Sequence, residues 1–257
     1  MTTQQPSHTR PAPGGPGRPG VRDSVRALAA AQKSKAGAPL YSRLVNRPAG
    51  RVLAALAHWL GLSPDQVTAL SACCTYLGVV LIAVWEPSVG SAVVVSGLLM
   101  LGYALDSADG QLARLRHGGS RAGEWLDHVA DVIKLSTIHL AVAVGLFRFS
   151  LEDLGGPGVL LVPLAFSAVQ TIHFFSYILT YQLRHQGGTP LAKDEGRAGF
   201  LKSVLSVPTD YGLMCLVLVL RFAPSVFVWV YGLMLVGYAA YVALALPKWY
   251  LELRRGS

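Results

Sequence analysis

Acidic side chains are concentrated in one short stretch of a chain that is otherwise poor in charge. Five of its 14 acidic residues fall within 26 positions, and four of these form two pairs. Asp106 with Asp109, and Asp127 with Asp131, are each spaced by about one helical turn, so each pair shares a helix face. If the two helices are antiparallel neighbours joined by a short loop, the four carboxylates face one another.

Such a group of carboxylates predicts a bound cation, because burying each one unpaired costs several kcal/mol. Oxygen ligands suit the hard divalent ions Mg²⁺ and Mn²⁺, and this stretch offers zinc no Cys and only the histidines His117 and His128. We expect two ions, an arrangement that suits phosphoryl transfer, where charge on phosphate oxygens must be offset. The alternative is that the carboxylates only pair with nearby cations, which are Arg114, Arg116, Arg121 and Lys134.

Small residues accompany the acidic pairs. Gly110 directly follows Asp109, Ala113 comes one turn later, and Gly123 precedes Asp127 by one turn. Missing side chains let a substrate approach the backbone closely, and Arg114 can reach a phosphate. Packing between helices is the other explanation for the small residues.

The composition of the chain shows where these helices lie. Of its 257 residues, 52% are hydrophobic and only 14% are charged, with a mean hydropathy of +0.44. Soluble domains carry about 25% charged residues, so the chain is neither an ordinary soluble enzyme nor a disordered protein. Its three cysteines form no disulfide or zinc pattern. The composition therefore predicts a membrane protein.

The hydropathy pattern predicts an all-α, polytopic membrane protein with six transmembrane helices, because each apolar segment is near the roughly 20 residues needed to span a bilayer. The predicted segments are Gln66–Trp85, Val89–Ala108, Asp127–Phe147, Val159–Tyr181, Tyr211–Phe222 with the turn before it, and Ser225–Leu246. The fifth segment is short, and its start is the least defined.

The chain before the first segment divides into two parts. Residues 1–36 are rich in Pro, Gly and Arg and are predicted to be a disordered cytoplasmic tail, which leaves residues 37–257 as the membrane domain. Residues 40–60 have an apolar face and a basic face. This pattern predicts an amphipathic juxtamembrane helix in the membrane interface.

The basic residues predict the orientation. In the six-helix arrangement, 19 of the 22 Lys and Arg residues lie on the side of both termini, and only Arg148 and Arg221 lie opposite. By the positive-inside rule, both termini and the acidic site face the cytoplasm, and we expect an integral protein of the plasma membrane. The net charge of +8 thus reflects topology rather than nucleic-acid binding, for which no motif is present.

The acidic stretch resembles the signature of the CDP-alcohol phosphotransferase family at all eight fixed positions: Asp106-x2-Asp109-Gly110-x2-Ala113-Arg114-x8-Gly123-x3-Asp127-x3-Asp131. A second segment, Ser63 to Thr68, is similar to the family's opening of the first helix, with Asp65 in place of Asn. The resemblance covers roughly Leu40 to Tyr250.

The resemblance implies an activity: transfer of a substituted phosphate from a CDP-alcohol to a hydroxyl, with release of CMP. It implies that metals are held by Asp106, Asp109, Asp127 and Asp131. Asp131 would also act as the general base. The CDP site would be shaped by Gly110, Ala113, Arg114 and Gly123. Family members usually form homodimers.

The substrates stay open at this point. We expect a phosphatidyl group from CDP-diacylglycerol in phospholipid biosynthesis, and the alternative within the family is a soluble CDP-alcohol donor with a lipid acceptor. Lys134 and Arg121 are candidates for acceptor binding, although Lys134 could instead neutralise Asp131 and Asp127. A third possibility is a carboxylate-lined transporter of cations or protons. Against it, the acids gather at one membrane face and no second half repeats them.

Overall fold

The computed structural model describes residues 39–116, 118, 120–186, 204 and 206–256, together with Val25 and Leu28. The predicted disordered tail lies outside this description, apart from those two residues. The described part is helical and contains no strand.

A short amphipathic helix opens the described part. A single π-helical stretch, Ser42–Asn46, leads into helix α1 (Arg47–Trp59), which has Pro48 in its first turn, where its missing N–H costs nothing. Small residues of α1 are buried, namely Gly50, Ala54, Ala55 and Ala57. Large apolar residues of the same helix are exposed, including Val52, Leu56 and Trp59. The predicted amphipathic segment is therefore present as a helix.

Five long helices and one short helix follow. The long helices are α2 (Pro64–Val84), α3 (Val89–Leu115), α4 (Arg121–Phe149), α5 (Leu161–Gln186) and α7 (Pro224–Gly256). All five are long and apolar enough to cross a membrane. The short helix α6 (Tyr211–Val217) continues as the 3₁₀-helix Leu218–Phe222. The all-α prediction is confirmed, and the short fifth segment is the one without a long helix.

Hydroxyl side chains fix where the site-bearing helices begin. Ser63 accepts a hydrogen bond from the Gln66 N–H at 3.1 Å, and the Gln66 side chain accepts one from the Ser63 N–H at 2.8 Å. This capping box starts α2. Ser120 accepts from the Gly123 N–H at 2.9 Å and starts α4 at Arg121, earlier than the apolar segment predicted from Asp127. Gly123 thus lies in the first turn of α4.

The central core joins all five long helices, with Val79 and Ile82 contributed by α2. Leu99 of α3, Ile138 of α4, Phe166 of α5 and Tyr231 of α7 are all fully buried. His139 lies beside them, with its two ring nitrogens paired to Tyr231 Oη and Gln170 Oε1. A buried histidine of this kind is a hydrogen-bonded core residue. The packing fixes α4 against α5 and α7.

Helices α2 and α3 approach each other closely at a glycine, Gly102. Ser71 Oγ donates to the Gly102 carbonyl at 2.8 Å. A Cβ added to Gly102 would lie 2.1 Å from Thr75 Oγ1 and 3.2 Å from the Ser71 carbonyl oxygen. The backbones can therefore meet only because Gly102 lacks a side chain. This contact is one helical turn before Asp106 and sets the position of the acidic pair on α3.

A chain of aromatic rings connects the N-terminal segment to α6. The Tyr41 N–H donates to Asp210 Oδ2 at 2.8 Å, and Asp210 also caps α6 by accepting from the Gly212 N–H at 3.1 Å. The ring of Tyr41 stacks on Tyr103 at 6.3 Å between centroids, and Tyr103 meets the edge of Tyr211 at 5.1 Å. The surface segment is thus fixed to α3 and α6 together.

We expect Gly102→Ala to lower the thermal unfolding midpoint of the detergent-solubilised protein. Overpacking a close contact costs about 1–3 kcal/mol, and here backbone atoms of α2 must move apart from α3. Gly97→Ala is the matched control, because a Cβ at Gly97 of the same helix would meet no atom within 4 Å. Equal midpoints for the two variants would show that the helices can separate freely at Gly102.

Candidate active site

Three of the four predicted aspartates come together where α3 and α4 face each other. Carboxylate oxygens of Asp106, Asp127 and Asp131 all lie within 4.8 Å of one another. Asp106 comes from α3, and the other two come from consecutive turns of α4. All three side chains are half-buried. We call these three residues the acid cluster.

The fourth aspartate, Asp109, is held beside the acid cluster by its own hydrogen bonds. Thr68 of α2 donates its hydroxyl to Asp109 Oδ2 at 2.6 Å, and the Gly110 N–H donates to Oδ1. Asp109 is 6% exposed. Its carboxylate therefore has a fixed direction, since both oxygens accept a hydrogen bond from groups that cannot move far.

A buried lysine touches the acid cluster. The Nζ of Lys134 forms an ion pair with Asp131 and lies 3.6 Å from Asp106 Oδ1. The ammonium also lies 5.1 Å from the centroid of the Tyr211 ring, a distance at which cation and ring attract each other. The sequence left two roles open for Lys134, acceptor binding and neutralisation of Asp131 and Asp127. The observed ion pairs are with Asp131 and Asp106.

A large cavity of about 690 Å³ opens on one side of the aspartates. Its wall contains Asp109 and Asp127, together with the four residues of the predicted CDP site: Gly110, Ala113, Arg114 and Gly123. A Cβ at Gly110 would meet only Arg114 Nη1, at 3.6 Å. Because Gly110 has no Cβ, this space belongs to the cavity. Arg121 lines the same cavity.

Residues of α2 and α5 complete this large cavity. Asp65 and Thr68 come from the first turns of α2, and Tyr177 and Tyr181 come from the end of α5. None of these four residues was assigned a role from the sequence. Asp65 and Thr68 belong to the segment that resembles the family, and this motif could have identified them. No local pattern could have identified the two tyrosines, because only the packing of α5 brings them to the site.

A second, narrow cavity adjoins the aspartates, with room for about one water molecule. Asp106, Asp131 and Lys134 line it, facing Thr75 and Tyr76 of α2. The Tyr76 hydroxyl donates to the Ala130 carbonyl at 3.0 Å and joins α2 to α4 next to Asp131. The four aspartates are therefore divided, with two lining each cavity.

The ligand chemistry of the acid cluster fits a hard divalent cation. Its three members offer only carboxylate oxygens, and within the described residues no His or Cys belongs to the group. Mg²⁺ and Mn²⁺ prefer such ligands, and the short distances between the oxygens allow one ion to contact all three. Asp109 lies close enough in sequence, one turn from Asp106, to contribute from the side of the large cavity.

Comparison with known protein families gave a match that covers the aspartates and both cavities. The sequence profile described as CDP-alcohol phosphatidyltransferase matches residues 61–246, which is well over half of the chain. The matched range contains all four aspartates and both cavities. A comparison with curated proteins gave no significant match.

We expect the detergent-solubilised protein to bind Mn²⁺, and EDTA to remove it, as followed by electron paramagnetic resonance of the free ion. Asp106→Asn or Asp127→Asn should weaken binding at least about tenfold, because each removes one charged ligand from a group of three. Asp153→Asn is the matched control, since Asp153 is exposed in the turn after α4. Unchanged Mn²⁺ affinity in both cluster variants would rule out the acid cluster as a metal site.

Proposed function

The chain belongs to the CDP-alcohol phosphatidyltransferase family, and we propose that it transfers a phosphatidyl group from CDP-diacylglycerol to an acceptor hydroxyl in phospholipid biosynthesis. The family implies a transferase that moves a phosphate-linked group from a CDP-alcohol. CDP-diacylglycerol as the donor, an alcohol of a phospholipid head group as the acceptor and the release of CMP are the finer parts of the proposal.

The placement of the aspartates around one large cavity carries this proposal. This cavity offers Arg114 beside Asp109 and Asp127, which suits the pyrophosphate of a nucleotide donor together with its cations. Asp131 lies next to it, since carboxylate oxygens of Asp131 and Asp127 are within 4.8 Å of each other. An acceptor hydroxyl bound in the large cavity beside Asp127 would therefore be near Asp131, whereas the narrow cavity has room for only about one water molecule.

The proposed reaction exchanges the phosphoanhydride bond of the donor for a phosphate ester bond to the acceptor. The acceptor oxygen forms a bond to the β-phosphorus of the donor while the bond from that phosphorus to the bridging oxygen breaks. CMP leaves with the electron pair of the broken bond. Asp131 accepts the proton of the acceptor hydroxyl and later returns it to solvent. The ion pair between Asp131 and Lys134 requires the carboxylate form, which is the form that a base needs.

The remaining residues of the site bind the substrates and cations or orient the aspartates. Arg114 donates to donor phosphate oxygens, and Gly110, Ala113 and Gly123 leave room for the nucleotide. Thr68 orients Asp109. Mg²⁺ or Mn²⁺, held by Asp106, Asp109, Asp127 and Asp131, would offset the negative charge of the phosphates when bound. We propose Arg121, on the wall of the large cavity, for binding a charged acceptor.

The wider setting of the activity is also proposed. The distribution of basic residues supports an integral protein of the plasma membrane, with both termini and the site on the cytoplasmic side. There a water-soluble acceptor and a lipid donor can meet. The resemblance to the family supports a homodimer.

The activity is tested with purified protein, labelled CDP-diacylglycerol and a panel of head-group alcohols, both phosphorylated and free. We expect CMP and one labelled phospholipid to form together with one acceptor, and EDTA to stop both. Product from a soluble CDP-alcohol and diacylglycerol, but none from CDP-diacylglycerol, would reverse the donor assignment. The absence of CMP with every pair, in protein that moves cations across vesicles, would favour a transporter instead.

Exchanging single aspartates should separate the base from the metal ligands. Asp131→Asn keeps the size of the side chain but cannot accept the proton, so we expect turnover to fall by about 10² or more while donor binding is retained. Asp109→Asn should instead weaken donor binding, and added Mn²⁺ should partly restore it. The measurements are CMP release and binding of labelled CDP-diacylglycerol.

Two outcomes would contradict these separate roles. Equal recovery of both variants with Mn²⁺ would show that the aspartates are equivalent ligands of one cage. Near-normal turnover of Asp131→Asn would show that another group takes the hydroxyl proton. The thermal unfolding midpoint of each variant serves as the control for folding.

A further inference from the structure

Lys134 is a buried cation within a helix that crosses the membrane. Its side chain is 8% exposed, and its ammonium lies against Asp131 and Asp106. An unpaired ammonium in such a place costs several kcal/mol, so these two carboxylates are what allow Lys134 to be buried. The same contacts offset the repulsion between the two carboxylates.

The position of Lys134 conflicts with full occupation of the site by metal. The lysine uses oxygens of two of the three residues that could hold an ion. Two divalent cations would already balance the four aspartates, so the ammonium would become surplus positive charge beside them. A divalent ion that binds Asp106 and Asp131 must therefore compete with Lys134 for these two carboxylates.

An aromatic ring lies close enough to contact the ammonium of Lys134 when a metal ion displaces it from a carboxylate. The ring of Tyr211 lies 5.1 Å from Lys134 Nζ in the present arrangement. Attraction between a cation and an aromatic face is stronger where water is excluded. A small rotation of the flexible lysine side chain can exchange a carboxylate for closer contact with this ring.

We propose that Lys134 is a tethered counter-cation of the acid cluster, which holds Asp106 and Asp131 together without metal and competes with a divalent ion for them. Lys134 thereby sets the metal affinity of the site. The inference rests on the proposed metal-dependent function and adds a residue that opposes metal binding. A purely structural lysine, which only joins α4 to α3, would leave the affinity for metal unchanged.

The test measures Mn²⁺ binding and thermal unfolding in the full-length, detergent-solubilised protein. Lys134→Met should raise the Mn²⁺ affinity at least about tenfold, because the competitor is gone and the carboxylates are left uncompensated. The same variant should unfold at a lower temperature in EDTA and regain most of the difference in Mn²⁺. Lys134→Arg keeps the charge and should stay closer to the wild type in both measurements.

Two further variants make the result specific. Lys248→Met is the matched control, since Lys248 also pairs with a carboxylate, Glu252 at 3.7 Å, but lies on α7 away from the acid cluster. It should leave the Mn²⁺ affinity unchanged. Lys134→Met combined with Asp131→Asn removes one charge of each sign and should unfold in EDTA at a higher temperature than Lys134→Met alone.

The outcomes separate this inference from the proposed function. Unchanged or weaker Mn²⁺ binding by folded Lys134→Met, with binding by the wild type intact, would overturn the counter-cation alone. Failure of both Lys134→Met and the double variant to fold in Mn²⁺ would show a structural lysine and overturn it as well. If the wild type binds no Mn²⁺, the proposed metal site fails and the competition fails with it.

Discussion

The structure depends on offsetting the repulsion between carboxylates that are gathered in a mostly apolar helix bundle. One oxygen from each of three carboxylates lies within 4.8 Å of the other two, and Asp109 lies beside this group. Such a group is stable only with positive charge or hydrogen-bond donors in contact. Lys134 and Thr68 supply these from within the chain, and the proposed cations would supply the rest. The close contact between α2 and α3 at Gly102 brings the Thr68 donor within reach.

The four aspartates line two cavities of different size. Because Asp106 and Asp109 are separated by three residues, their side chains leave α3 in somewhat different directions, and Asp127 and Asp131 do the same on α4. One member of each pair lines the large cavity, and the other lines the narrow one. A short spacing along two helices thus places two aspartates where a substrate has room and two where only about one water molecule fits.

Much of this arrangement could be predicted from sequence, because it depends on local spacing. Periodicity within α3 and α4 predicted two acidic pairs on facing helices, of which the structure brings three members together, and hydropathy located the apolar segments. The pairing of Lys134 with Asp106 was not predictable, since it depends on the rotation of α4 against α3. Tyr177 and Tyr181 were missed for a similar reason: their place at the site follows from tertiary packing of α5, which no local pattern encodes.

The chain of aromatic rings formed by Tyr41, Tyr103 and Tyr211 has a mechanical consequence. It begins at the segment that leads into the amphipathic helix and ends at the ring beside Lys134. Tyr41 is also bonded to Asp210 at the start of α6, and α1 itself contacts α3, where the Gln111 side chain donates to the Arg47 carbonyl at 3.1 Å. A displacement of the amphipathic helix would therefore reach α3 and α6 together, and with them the ring that faces the buried lysine.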